Sequence, residues 1–357
     1  MSGSKKNQVK EKQFDLITFG RSSIDLYSQN IGADFIDIKG FDAFVGGSPL
    51  NIAVGARRLG AKATLLTAVG TDKVGDFIIN FLKKENINTE AIPRIANART
   101  SAVLLGIEPP DKFPLVYYRE NAADSQVTID HVITAGISRY KILELSGTAL
   151  NIEPSRSAAF FAVEVANENN VDVVLDIDFR ADQWKDILSF GLMIRALLPK
   201  VKIAIGTEEE ILAVTLQSAD QVTIKNQQIS APEIKGDINV SVQEILKAGP
   251  EVLIVKRGAK GASIFYKDGK QEDVPGFPVE ILNVLGAGDA FASGFIYGYL
   301  QGWDLYKACR LGNASGAWVV QKPGCANDMP YYEELMEFVD SRGGLLAENK
   351  EKNKIIQ

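Results

Sequence analysis

Histidine and cysteine are almost missing from this chain of 357 residues, which has one histidine, His131, and two cysteines, Cys309 and Cys325. Two thiols outside any Cys-x-x-Cys spacing build neither a disulfide framework nor a structural zinc site, and they fit a reducing compartment. A single histidine with no Gly-x-Ser-x-Gly turn gives no Ser-His-Asp hydrolase, so His131 reads as a surface or loop residue. Excess positive charge is also lacking: the net charge is −6, which leaves no basic face for nucleic-acid phosphates. No run approaches the ~18 consecutive apolar residues of a membrane span. The polar, Lys-rich start has no signal-type apolar stretch behind it, so a cytoplasmic protein without membrane or nucleic-acid partners is expected. Neither Gly-x-x-x-x-Gly-Lys-Ser/Thr nor a strand running into Gly-x-Gly-x-x-Gly occurs, which excludes the two common nucleotide signatures.

What remains is a globular composition, 46% hydrophobic and 24% charged, able to bury a large core. Apolar runs alternate with helical periodicity. A strand is expected over 15–20, a helix from Ser48 as N-cap with Pro49 at its first position to a stop at Gly60, a strand over 63–69 and a helix over 74–84. From 141 onward come strand 141–146, helix 155–169, strand 171–177, helix 187–198, strand 201–205, helix 208–216, helix 240–248 and strand 252–256. That order predicts an α/β fold with a doubly wound, mostly parallel sheet flanked by helices. Asp268-Gly269 is expected as a two-residue hairpin turn, and 289–301 and 305–320 as the last helices. Alternating runs at 27–45 and 98–120, the latter a hairpin-like pair around the loop 108–114, suit a small β-sheet lid inserted in one domain spanning 14–345. Residues 1–13 and 346–357 read as a disordered and a frayed tail.

The sharpest chemical signal is Gly286-Ala287-Gly288-Asp289-Ala290-Phe291, ahead of apolar positions Phe291, Phe295 and Tyr299 at helical spacing. A glycine-rich helix start offers unpaired N–H groups and partial positive charge to an anion. A carboxylate beside such an anion hole either caps the helix or takes a proton from an attacking hydroxyl during phosphoryl transfer. A second glycine pair, Gly46-Gly47, precedes another helix start with Asn51 on its first turn, placed to bind a polyol. Lys256-Arg257-Gly258-Ala259-Lys260-Gly261 follows a strand and offers flexible backbone to a phosphate or nucleobase.

These motifs resemble the ribokinase or PfkB-type carbohydrate kinases. Gly46-Gly47 with Asn51 and Leu59-Gly60 is similar to that family's N-terminal signature, Gly70-Thr71-Asp72 with Gly75 also fits, and Gly286 to Phe291 is similar to its C-terminal signature. The resemblance implies ATP and Mg²⁺ as cofactors and a ribokinase-like fold. It makes Asp289 the catalytic base and the amides of Gly286, Ala287 and Gly288 the anion hole. It puts Asp25, Gly46, Gly47 and Asn51 on the sugar, Thr207, Lys256, Gly258, Gly261 and Asn313 on the nucleotide side, and Glu210 near Mg²⁺ through water. The alternative for Glu210 is a solvated helix residue in Glu208-Glu209-Glu210. Asn283 stands where the family has Asp, which counts against a K⁺ site, and Thr207 stands where it has Asn.

A sugar acid needs fixed positive charge, which Arg matches best. Arg119 and Arg180 fall at positions similar to the carboxylate-binding ones of sugar-acid kinases in this family. Gly20 to Leu26, Tyr118 to Asp124, Ser146 to Leu150 and Lys256-Arg257-Gly258 most resemble the branch acting on 5-dehydro-2-deoxygluconate in myo-inositol breakdown. The implied reaction is phosphorylation at carbon 6. A 2-dehydro-3-deoxygluconate kinase and a non-catalytic sugar-binding protein on the same fold stay open, as do a homodimer through the lid and the role of Arg21.

Overall fold

A computed structural model describes residues 12–108, 112–224 and 232–346. Both expected tails, apart from Lys12, Gln13 and Leu346, and the centre of the 108–114 loop lie outside the described residues. Among the described residues the main sheet has eight strands in the spatial order Gln271–Val274, Ala262–Tyr266, Val252–Lys256, Ile203–Thr207, Asp172–Asp176, Tyr140–Ser146, Phe14–Phe19, Ala63–Leu66. From 252–256 to 63–66 every neighbouring pair is parallel, and the two strands after 252–256 are antiparallel. A smaller sheet, Phe41–Gly46, Ser23–Ser28, Ser101–Leu105, Leu115–Tyr118, stands apart from it and matches the expected lid, although it starts at Ser23 and not at 27. Among the described residues no helix is long and apolar enough to cross a membrane.

Strands buried on both faces read as continuous apolar runs, and alternate side chains then serve opposite helix layers. Leu143, Leu145, Val173, Leu175, Leu253 and Val255 pack with helices Ser155–Glu168, Ile187–Leu197 and Ile238–Ala248. Ile142, Val174, Ile203, Ile205, Val252 and Ile254 pack with helices Ser48–Arg58, Lys73–Lys84, Ala287–Leu300 and Leu305–Val319. The same alternation turns Glu144, Asp176 and Lys256 toward the second layer. Polar residues at the strands' C-terminal ends therefore converge beneath the helix 287–300.

Local chemistry departs from expectation at several places. Ser48 opens its helix with Gly47 as the cap, and its hydroxyl has no hydrogen-bond partner, so it is not an N-cap donor-acceptor. The Tyr266 N–H donates to Lys270 O and the Gly269 N–H to Tyr266 O, which makes the hairpin turn three residues long with Gly269 left-handed, not the two expected. The expected strand 63–69 divides into Ala63–Leu66 and Val69–Gly70. Helices Ile129–Ala135 and Tyr332–Asp340 were not expected, and His131 belongs to the first, where its Nδ1 accepts the Thr128 N–H.

Glu144 is fully buried at mid-strand and neither carboxylate oxygen has a hydrogen-bond partner. Burial, then the Asp176, Asp289 and Asp178 carboxylates, push its pKa well above the usual range. The folded state thus holds a proton that the unfolded chain loses above about pH 4.3, so stability from this site falls as pH rises beyond that value. Glu144→Gln is expected to raise the melting midpoint by roughly 1–3 °C at pH 8 and to leave it nearly unchanged at pH 4.5, checked by thermal melts at both pH values.

Candidate active site

Gly286 ends the loop ahead of helix Ala287–Leu300 in the left-handed region, φ 80°, and a Cβ there would collide with the Cys325 thiol. Only glycine suits that corner. Phe291, Ala292, Phe295 and Ile296 bury the helix, so its first turn is fixed and its free amides point out of the core. Asp289 lies in that turn and its Oδ2 accepts a 2.7 Å hydrogen bond from Asn51 Nδ2. Asn51 Oδ1 is buried without a partner, an acceptor left for an incoming hydroxyl. A Cβ on Gly288 would stand 3.0 Å from Lys256 Nζ, so an ammonium sits directly over the helix start. Fixed dipoles and one cation thus face one point beside a carboxylate, an arrangement that stabilises a migrating anionic group.

Lys256 itself is held by Asp176 Oδ1 at 3.2 Å and by Glu210 Oε2 at 3.7 Å. Burial alone opposes its charge, but Asp176, Glu210 and Asp289 outweigh that and raise its pKa above the ordinary lysine range. Burial pushes Asp176 upward, with Lys256 pulling it back. Glu210 is buried, not solvated: its Oε2 accepts the Thr207 N–H at 2.8 Å, Thr207 Oγ1 accepts the Glu210 N–H in return, and Arg180 Nη1 lies 3.5 Å from Oε1. Among the described residues no group of three His, Cys, Asp or Glu side chains is placed to hold a metal. Asn283 donates to Pro323 O and accepts the Leu285 N–H, which makes it a neutral brace at the base of the 283–286 loop.

On the lid side, Asp25 accepts from Ser23 Oγ at 2.6 Å and from Tyr27 at 3.3 Å. A Cβ on Gly46 would strike the Asp25 carboxylate and one on Gly47, at φ 108°, the Arg21 carbonyl, so the glycine pair lets strand 41–46 turn into helix 48–58 past both. Arg180 pairs with Asp178 at 2.7 Å. Arg119, expected near the carboxylate of a sugar acid, has its donors engaged by the protein itself. Its Nε and Nη2 bind Asp124 at 2.8 and 2.7 Å, and its Nη1 donates to Gln183 Oε1 and Thr148 O. Those bonds make it a brace for the turn at 119–124.

A cavity of about 220 Å³ opens over the same helix start, lined by Thr207, Lys256, Gly258, Gly261, Ala287, Gly288 and Asn313 with Val279, Ile281, Val284, Ala317 and Val320 as apolar walls. Apolar walls beside glycine backbone suit a planar ring such as a nucleobase. Asn313 donates to Val274 O and Pro275 O, so it shapes the cavity wall. Asp176, Glu144, Asp178 and Ser23 escaped the sequence reading. For the three carboxylates the usable signal was a charged residue inside or just beyond an apolar strand run.

The model for pfkB family carbohydrate kinases matches residues 13–331. The chain is 32% identical over 334 residues to 5-dehydro-2-deoxygluconokinase of Clostridium perfringens, covering 92% of this chain and 94% of that protein. It is 33% identical over 336 residues to 5-dehydro-2-deoxygluconokinase of Bacillus anthracis, covering 92% and 96%. Among solved structures, an E. coli protein described as a ribokinase II matches with a TM-score of 0.80 at 22% identity over 92% of this chain and 100% of that one. An uncharacterized sugar kinase of Pyrococcus horikoshii in complex with ATP matches at 0.74 and 26% identity, over 90% and 97%.

Lys256→Met would leave Asp176 buried without its cation, the kind of break that costs about 3–5 kcal/mol. Thermal melts are expected to show a large loss of stability at pH 8 that shrinks toward pH 5, where Asp176 takes up a proton at lower cost. Equal loss at both pH values would contradict the pairing.

Proposed function

The chain belongs to the pfkB family of carbohydrate kinases and is an ATP-dependent sugar kinase, and from that premise we propose that its acceptor is 5-dehydro-2-deoxygluconate, phosphorylated on the carbon 6 hydroxyl. The observation that carries the reaction is Asp289 on the first turn of helix 287–300, 2.7 Å from Asn51 and beside the amides and Lys256. Relatives of that activity at 31–33% identity over nine-tenths of the chain support the acceptor.

In this reading Asp289 accepts the proton of the acceptor hydroxyl, whose oxygen bonds to the γ-phosphorus while the bond to the ADP oxygen breaks. The amides at 286–288 and the Lys256 ammonium steady the charge on the transferring group. Asp25, Gly46, Gly47 and Asn51 hold the sugar hydroxyls, and the small sheet closes over them and excludes water. The cavity walls, with Gly258, Gly261, Thr207 and Asn313, hold the nucleotide. Glu210 would hold Mg²⁺ through water, and the ion would supply positive charge to the nucleotide phosphates. The protein works in the cytoplasm as one kinase domain with an inserted lid. It pairs with a second copy through that lid, where Ile31 and Ile36, between strands 23–28 and 41–46, and Tyr118, at the end of edge strand 115–118, are exposed.

Asp289→Asn is expected to lower kcat by roughly 100-fold or more with little change in acceptor KM, read by coupled ADP release. A panel of 5-dehydro-2-deoxygluconate, 2-dehydro-3-deoxygluconate and fructose tests the acceptor: the first is expected to give the highest kcat/KM, and fructose doing so would overturn the proposal. Ile36→Lys is expected to halve the mass measured by light scattering, and a wild type already of monomer mass would contradict the dimer.

A further inference from the structure

Three arginines stand at the base of the lid, and they differ in how many of their donors the protein uses. Arg119 is spent on Asp124, Gln183 and Thr148 O. Arg180 is paired with Asp178, lies near Glu210, and donates to Phe179 O. Arg21 is different. Among the described residues its guanidinium donates one hydrogen bond, Nη1 to Ser23 Oγ at 2.6 Å, and no carboxylate lies within ion-pair distance. The face of Tyr117 covers it, with the guanidinium carbon 5.2 Å from the ring centre, and the residue is only 9% exposed.

A guanidinium buried to that degree without a counter-ion is costly unless something else completes it. The nearby carboxylates do not. Asp25 is engaged by Ser23 and Tyr27, Asp124 by Ser101 and Arg119, and Asp178 by Ser146, Thr148 and Arg180. They act on Arg21 only across space, which together with Tyr117 overcomes its burial and keeps it charged. Its position is fixed as well, since Arg21 Nη1, Ser23 Oγ and Asp25 Oδ1 form a chain of two 2.6 Å bonds. Arg21 Nε and Nη2 therefore form an unused, rigid, two-pronged donor next to the residue assigned to the sugar hydroxyls, and a planar carboxylate matches that fork.

We propose that Arg21 receives the carboxylate of the acceptor and sets the preference for a sugar acid over a neutral sugar. Arg119 braces the surrounding turn, and Arg180 orients Asp178 and Glu210. This rests on the sugar-acid reading above. The test compares kcat/KM for 5-dehydro-2-deoxygluconate with that for fructose in wild type, Arg21→Gln, Arg21→Lys and Arg119→Gln.

Arg21→Gln is expected to lower the acid-to-fructose ratio by roughly 100-fold through the acid's KM, and Arg21→Lys, which keeps the charge without the fork, by roughly ten-fold. Arg119→Gln is expected to lower the melting midpoint and leave the ratio alone. If Arg21→Gln does not fold, the Lys variant decides. A ratio unchanged in a folded Arg21 variant, or one that collapses in Arg119→Gln instead, would overturn the proposal. A wild type with no preference for the acid would overturn the sugar-acid reading itself, which distinguishes the two failures.

Discussion

Everything in this molecule leans on the burial of charge at one edge of a sheet. Lys256, Asp176 and Glu210 leave water together because period-two alternation on strands 252–256 and 172–176, which flank strand 203–207, and a capping box at Thr207 bring them to one place. Any one of them alone would be an uncompensated ion in a low-dielectric core, and together they hold an ammonium over the first turn of helix 287–300. That turn supplies amides and Asp289, while Asn51 from the other glycine-led helix fixes the carboxylate. The site is thus an outcome of the packing between two helix starts and the sheet's C-terminal edge, where open α/β sheets bind ligands.

The lid connects to this edge through backbone contacts that tolerate no side chain. Gly46 passes the Asp25 carboxylate and Gly47 the Arg21 carbonyl, so strand 41–46 can enter helix 48–58 while Asp25 and Arg21 keep their places. One short stretch, 20–28, therefore leaves the main sheet, carries Arg21, Ser23 and Asp25, and becomes a lid strand. In the proposed reaction, closure of the lid and binding of the acceptor would draw on the same residues, coupling water exclusion to recognition.

Much of this was legible in the sequence, for physical reasons. Long apolar strands such as 252–256 and amphipathic helices such as 73–84 announce themselves by period, and the glycine-rich helix starts at 47 and 286 mark where the backbone must turn sharply. Short elements did not: the helix 129–135 has two buried side chains, and the three-residue hairpin turn depends on a Tyr266 to Lys270 bond that no local pattern encodes. The limits at the site were of the same kind. Asp289 and Lys256 sit in motifs, but whether an arginine is free or spent depends on partners far along the chain, as Arg119 meets Gln183 and Arg180 meets Glu210. A solvated Glu210 stayed open because its partners, Arg180 and Lys256, lie about 30 and 46 residues away along the chain.

The most direct measurement is a crystal structure with a non-hydrolysable ATP analogue and the sugar acid bound. The account places the acceptor oxygen about 2.6–3.2 Å from an Asp289 oxygen, with the γ-phosphate on the amides of 286–288. A phosphate bound elsewhere, or an acceptor hydroxyl out of reach of Asp289, would contradict it.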